Sequence, residues 1–308
     1  MPDTHVVTNQ VPPLENHNSA TSPMLVEALI REGGQWGLDE VNELGAISGG
    51  HEAQRWGELA DRNRPVLHTH DRVGHRIDEV EYDPAYHELM RTAIAHGLHA
   101  APWADDRPGA HVVRAAKASV WTPEPGHVCP ISMTYAVVPA LRHNPELASV
   151  YEPLLTSREY DPEFKLATTK RGITAGMSMT EKQGGSDVRA GTTEATPNGD
   201  GTYSLTGHKW FTSAPMCDIF LVLAQAQRDC PASCCRGSCP TAPEIGCCCS
   251  ASRTSSATTP TPPARSNMTA PSRGWSARRA AASPPSSKWS TSPGWTALWA
   301  APPACAPV

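Results

Sequence analysis

The 308-residue sequence contains no apolar run near the roughly 20 residues that span a bilayer. It also lacks a basic N-terminal stretch followed by an apolar core, so no secretory leader is expected. Phenylalanine is scarce, at three residues. Up to residue 226 cysteine is nearly absent, with only Cys129 and Cys217, the sparse usage of a reducing compartment. These absences point to a soluble, cytoplasmic body. A second scarcity is local: between Asp229 and Val308 the only large aliphatics are Ile245, Met268, Leu298 and Val308. Such a stretch cannot bury enough area to offset chain entropy, and residues 227–308 are expected to be a disordered tail. The tail holds seven Lys/Arg against Asp229 and Glu244, while the whole chain is −5, so the remainder carries about −10. An acidic body argues against general nucleic-acid binding.

What is present first is helix signal. MLVEALIR, Met24 to Arg31, has helical apolar spacing and stops at Gly33-Gly34. Gly37 to Leu59 continues the pattern, with a break expected at Gly49-Gly50. Asp83-Pro84 and Asn144-Pro145 each place a capping side chain ahead of a proline at the first helical position. His111 to Val120 and Thr134 to Leu141 read as further apolar helices, and His68 to His75 resembles a polar connection of the family named below. The period then changes. Ile173 to Met179 is short and apolar, Gly191 to Thr196 is threonine-rich, and Tyr203 to Phe211 alternates. Asp218 to Ala224 is a buried-strand run, and Asn198-Gly199-Asp200-Gly201 marks a turn. The expected class is α+β: an all-α domain over 1–165, then the first part of an antiparallel β domain over 166–226. Its last strand, 218–224, is expected to leave an open sheet edge.

Two strings in the β part carry chemistry. In MSMTEKQGGSDV, Met177 to Val188, a strand ends near Thr180, and Gly184 and Gly185 allow close backbone approach before Ser186. Free backbone N–H groups with Thr and Ser hydroxyls suit a polar ring edge and a pyrophosphate. In GHKWFTS, Gly207 to Ser213, Trp210 offers a flat face, and alternation puts Thr212 on the same side. A ring face plus a hydroxyl suits an isoalloxazine. On spacing alone, GGSD reads first as a hairpin turn and Trp210 as a core aromatic.

MTEKQGGSD resembles the M-T-E-x-x-x-G-S-D string of acyl-CoA dehydrogenases, and KWFTS their K-x-W-I-T-N string. The Lys-Gln-Gly form, with GHKWF downstream, resembles the AidB-like branch, as do THVVTNQVPPLENHN, REGGQW, YDPAYHELM and CPISMTYA. The resemblance covers nearly all of residues 5–226. It implies FAD as cofactor and a short or branched acyl-CoA substrate that loses an α-proton to a carboxylate and a β-hydride to flavin N5. Met179 and Thr180 would bond the flavin pyrimidine edge, and Ser186 would lie near the pyrophosphate or the acyl-CoA. Trp210 would cover one flavin face, and Thr212 would bond N5. Phe211 and Ser213 replace the family's Ile and Asn, where backbone shape matters most. Met133 and Thr134 would sit near the flavin.

The resemblance also implies what is absent here. The catalytic Glu lies in a C-terminal helical domain beyond residue 226, with the remaining β strands and the surfaces that assemble a homotetramer. This chain is therefore expected to be an inactive fragment. Glu181, inside the flavin string, is a poor substitute base. The alternative function is an alkylation-response nucleic-acid-binding role without catalysis, which the acidic body and missing C-terminal part oppose. A genuine small protein with an interaction tail is a further alternative.

Other clusters weigh less. His68, His70 and His75 include an H-x-H pair, but only Asp71 could add a ligand nearby, and no metal site is expected. Cys129 reads as a small buried residue. The tail cysteines, Cys230 to Cys249, fit no zinc spacing, and a disulfide knot would need secretion. Runs of Cys, Ala and Pro with scattered Trp and Arg are what a GC-rich gene yields out of frame. Read one base early, with synonymous codons chosen, residues 229–242 can encode LSCFLLPRVLPDG. Likewise 248–258 can encode LQRLKDKLGN and 286–296 IIEMVNLTRLD. All three resemble AidB-like sequence in the right order, so a frameshift just after residue 226 is expected.

Overall fold

The computed structural model describes residues 8–11, 14–198 and 202–226, with the backbone of three short segments further on. Seven helices come first: α1 Pro23–Arg31, α2 Leu38–Gly49, α3 His51–Arg62, α4 Pro84–Ala95, α5 Ala110–Val120, α6 Val128–Leu141 and α7 Pro145–Thr156. The caps act where the sequence places them. Asp83 Oδ1 accepts the Ala85 N–H at 2.8 Å, and Asn144 Oδ1 accepts the Leu147 N–H at 3.1 Å. After α1 the chain reverses at Gly33, whose φ of 79° suits glycine. α6 begins at Val128, six residues earlier than its apolar spacing suggests.

His68 to His75 is not a plain connection. Residues Val66–His70 (β1) and Arg76–Glu81 (β2) form an antiparallel two-stranded ribbon. Both faces of the ribbon are largely exposed, so the period-two apolar signal that betrays a half-buried strand is missing.

The second sheet holds β3 Ala175–Ser178, β4 Glu194–Pro197, β5 Thr202–Thr206 and β6 Ile219–Ala226. β4 and β5 form the hairpin that the Asn-Gly-Asp-Gly turn predicts, with Pro197 opposite Tyr203. The sheet is mixed rather than purely antiparallel, because β3 runs parallel to β6. Nor is the edge of β6 open. Ile245–Cys248 (β7) pairs antiparallel with it and Thr296–Ala300 (β9) parallel, while Ala277–Ala280 (β8) joins β5 to β9. The rest of 227–308, where disorder is expected, lies outside the described residues.

Two apolar cores organise the molecule. One packs α1 to α6, with Leu44, Leu89, Met90, Val113 and Trp121 at its centre. The other lies at the seam, where Val137, Val138 and Leu141 of α6 and Leu147, Tyr151 and Leu155 of α7 meet Ala175, Ile219, Phe220 and Val222 of the sheet. A hydrogen bond crosses the seam: Thr134 Oγ1 accepts the Ala175 N–H at 2.9 Å. Among the described residues no helix is long and apolar enough to cross a membrane.

Candidate functional site

The two strings singled out in the sequence come together at the end of β3. Trp210 N–H donates to the Thr180 carbonyl at 2.8 Å, and Glu181 bridges both Gly184 and Lys209. Residues 181–184 close a tight turn, with Gly184 N–H on the Glu181 carbonyl at 3.0 Å. Gly184 has φ 142°, a region only glycine enters readily, and it faces open space. Gly185 is the close-approach glycine, but what it approaches is Thr180 of the same turn: a Cβ there would meet Thr180 Cγ2 at 2.8 Å. Ser186 is exposed.

The second string is not a regular strand. β5 ends at Thr206, and Phe211 and Ala214 have φ of 58° and 53°, left-handed values that side-chain-bearing residues adopt under constraint. The expected same-side placement of Trp210 and Thr212 therefore does not follow from strand alternation. Trp210 is half-buried, whereas Thr212 is buried with its hydroxyl 2.5 Å from Ser178 Oγ. Phe211, next to the half-buried Trp210, is 54% exposed, and Met179 is 51% exposed. His208 lies 5.9 Å from the Trp210 ring, and its Nε2 is shut off from solvent without a hydrogen-bond partner.

Sequence reasoning missed what lies beneath this ledge. Glu181 is 3% and Lys209 1% exposed, with Lys209 Nζ 2.9 Å from Glu181 Oε1. The carboxylate also accepts the Thr192 N–H (2.6 Å) and hydroxyl (3.0 Å), the Thr193 N–H (2.8 Å) and hydroxyl (2.6 Å), and the Gln183 amide (2.7 Å). Burial works to raise the Glu181 pKa, but the bonds from Lys209, Thr192, Thr193 and Gln183 outweigh it and hold the carboxyl well below its usual range. A carboxylate so tied is no general base. The available signal was Lys209 itself, a charge at an inward position that must find a partner.

The remaining sequence candidates are placed as follows. Met133 packs against the seam core. Thr134 is fully buried, with its hydroxyl donating to the Pro130 carbonyl at 2.7 Å while accepting from Ala175. Asp218, the other buried carboxylate of the sheet, lies 2.6 Å from Lys170 and accepts the Thr174 N–H at 2.8 Å. In the ribbon, His68 pairs with Glu81 and His75 with Asp71. Among the described residues no group of three His, Cys, Asp or Glu could hold a metal ion. Cys129 and Cys217 are free thiols.

The donor set fits a flavin. Exposed Met179 and Phe211 and the half-buried Trp210 offer apolar contact, and the His208 ring nitrogen is a polar atom waiting for a partner.

Comparison with known proteins finds relatives of both halves of the chain. Residues 9–162 match the adaptive response protein AidB N-terminal domain, and residues 176–235 the acyl-CoA dehydrogenase middle domain. The AidB protein of Escherichia coli K12 is 43% identical over 229 residues, 72% of this chain and 42% of that protein. Two solved structures share the fold. Bd2924 in its apo form has a TM-score of 0.61 at 25% identity, covering 77% of this chain and 46% of its own. Caenorhabditis elegans ACDH-11, in complex with C11-CoA, has 0.59 at 28% identity, covering 74% and 39%. The chain thus spans less than half the length of the curated relatives it matches. The chain belongs to the AidB-like branch of the acyl-CoA dehydrogenase family.

Proposed function

We propose that residues 166–226 form one wall of the FAD site of an acyl-CoA dehydrogenase. The observation that carries this reading is the ledge of Met179, Trp210 and Phe211, displayed on backbone joined by the Trp210-to-Thr180 hydrogen bond. In this reading Trp210 covers a ring face, and Met179 and Thr180 meet the pyrimidine edge. Gly184, Gly185 and Ser186 lie toward the pyrophosphate, and Thr212 is held beside N5 through Ser178. Bound FAD would supply the hydride acceptor for desaturation of an acyl thioester. The complex of ACDH-11 with C11-CoA supports an acyl-CoA as the class of substrate. The base must come from elsewhere, because both buried carboxylates of the described sheet are paired with lysines.

One wall without a base predicts a chain that holds FAD weakly and does not turn over. Titrating FAD with the 308-residue protein should give weak, saturable quenching of flavin fluorescence as the ring stacks on Trp210. Trp210→Ala should abolish the quenching, and no acyl-CoA should be desaturated with an artificial electron acceptor. Absence of quenching by the parent chain refutes the reading.

The composition break after residue 226 supports a reading-frame slip there, with the hidden family-like segments as its second support. Sequencing the gene should show that one base change near codons 226–229 opens a long dehydrogenase frame. A gene with no such frame refutes the slip and leaves the flavin wall untouched.

A further inference from the structure

We propose that the buried Glu181–Lys209 pair is the positioning element of the flavin wall: by drawing Lys209 inward it turns Trp210 outward, and it locks both strings at one height. The inference rests on the FAD reading above. Lys209 bridges to Glu181 ahead of the left-handed Phe211, so over this short extended stretch Lys209 and Trp210 point to opposite sides, and the residue that goes inward dictates which ring is displayed. Lys209 goes inward to Glu181, and His208 and Trp210 flank it.

The pair holds more than itself. Through Thr192 and Thr193 the carboxylate grips the segment that enters β4, and through Gln183 it grips the GGSD turn. Lys209 Nζ also donates to the Met179 carbonyl at 3.3 Å, one residue before the carbonyl that takes the Trp210 N–H. Met179, Thr180 and Trp210, three of the residues assigned to the ring, are therefore fastened by Glu181, Lys209 or their immediate neighbours. A shift of about 1 Å in such a frame is enough to lose most of a site's effect.

The test compares FAD titrations of the parent 308-residue chain, Glu181→Gln, and the double variant Glu181→Gln/Lys209→Gln, which removes both charges but keeps hydrogen-bonding groups. Lys117→Met serves as control, because Lys117 is an equally buried lysine paired with Glu40 in the helical half. Far-ultraviolet melting curves accompany each titration. The expected result is flavin affinity lowered about tenfold or more in both Glu181 variants, with loss of the stacked-ring quenching, against less than about twofold for Lys117→Met. A folded double variant that quenches like the parent overturns the inference, and so does an equal loss in Lys117→Met. Should the double variant fail to melt cooperatively, Thr193→Val decides, since it removes only the 2.6 Å hydroxyl bond to Glu181. A drop of about threefold supports the inference, and no change overturns it. A parent chain without quenching removes the FAD reading and this inference together, whereas a quenching parent with unaffected variants removes the inference alone.

Discussion

In the helical half, one set of buried polar groups closes on itself at the start of α6. Trp121 Nε1–H donates to His127 Nε2 at 2.6 Å, which fixes the His127 proton on Nδ1, facing Glu124 at 3.1 Å. Glu124 also takes the His127 N–H at 2.9 Å, and the group anchors the start of α6. In the β half, by contrast, the buried polar pair lies under a ledge that faces outward. The left-handed Phe211 follows Trp210 directly, and Met179 and Phe211 expose apolar side chains. Both halves have an apolar core, so the contrast lies in what their buried polar groups support. The seam of α6, α7 and the sheet connects them.

The sharpest way to break this contrast is at the seam. Lys170→Met leaves Asp218 buried without its cation, although Thr174 N–H still bonds it. Removing one partner of a buried pair costs about 3–5 kcal/mol, because the other charge stays desolvated. Urea unfolding should show that loss in a single transition for both halves. Two separate transitions in the parent would mean that the seam does not couple them. Next in size is Leu89→Ala on α4, fully buried in the helical core. It should lose about 2–5 kcal/mol through lost burial and the cavity left behind. Flavin quenching per folded molecule should stay unchanged; a parallel loss of quenching would show that the helical half shapes the site directly.

A smaller effect separates the halves by pH. The Glu181 carboxyl titrates below its ordinary 4.5 in the folded state, so the unfolded chain binds that proton more readily. Its stabilisation is complete above the ordinary value and is lost as pH falls toward the folded value. Unfolding free energy should therefore fall with acid below about pH 4.5 more steeply in the parent than in Glu181→Gln. Equal slopes would mean that the carboxylate is not held as its six hydrogen bonds imply.

The same contrast explains what the sequence could and could not disclose. Helix starts were legible because the signal is local: Asp83 and Asn144 cap within three residues of themselves. The hairpin of β4 and β5 was legible for the same reason, through its turn. The ribbon of β1 and β2 was not, since Val66–His70 and Arg76–Glu81 are mostly exposed and their one buried residue, Asp78, is polar, so they show no apolar alternation. The two strings were legible as family motifs, but not their mechanics. Glu181 and Lys209 are 28 residues apart, and nothing local says that they meet. Nor does a sequence announce that Phe211 takes φ 58°, which interrupts the alternation assumed for Trp210 and Thr212. Burial at the seam placed Thr134 in hydrogen bonds to Pro130 and Ala175, a cost and a benefit that depend on where α6 meets β3.

The smallest expected effect tests whether exposure alone makes a site. Met179, just after β3, and Val66 on the ribbon are each 51% exposed and apolar. Replacing either by serine removes no buried contact of consequence, so stability should move by no more than about 0.5 kcal/mol in both. If exposed apolar surface is displayed for a ligand only in the β half, the two substitutions part company in the FAD titration. Met179→Ser should weaken the flavin affinity, since the ring loses an apolar contact at its pyrimidine edge, while Val66→Ser should match the parent. Equal behaviour would make Met179 an ordinary exposed methionine of the kind every protein surface carries. The wall would then shrink to Trp210 and Phe211, the residues set by the inward pull of Lys209 and by the left-handed turn that follows it.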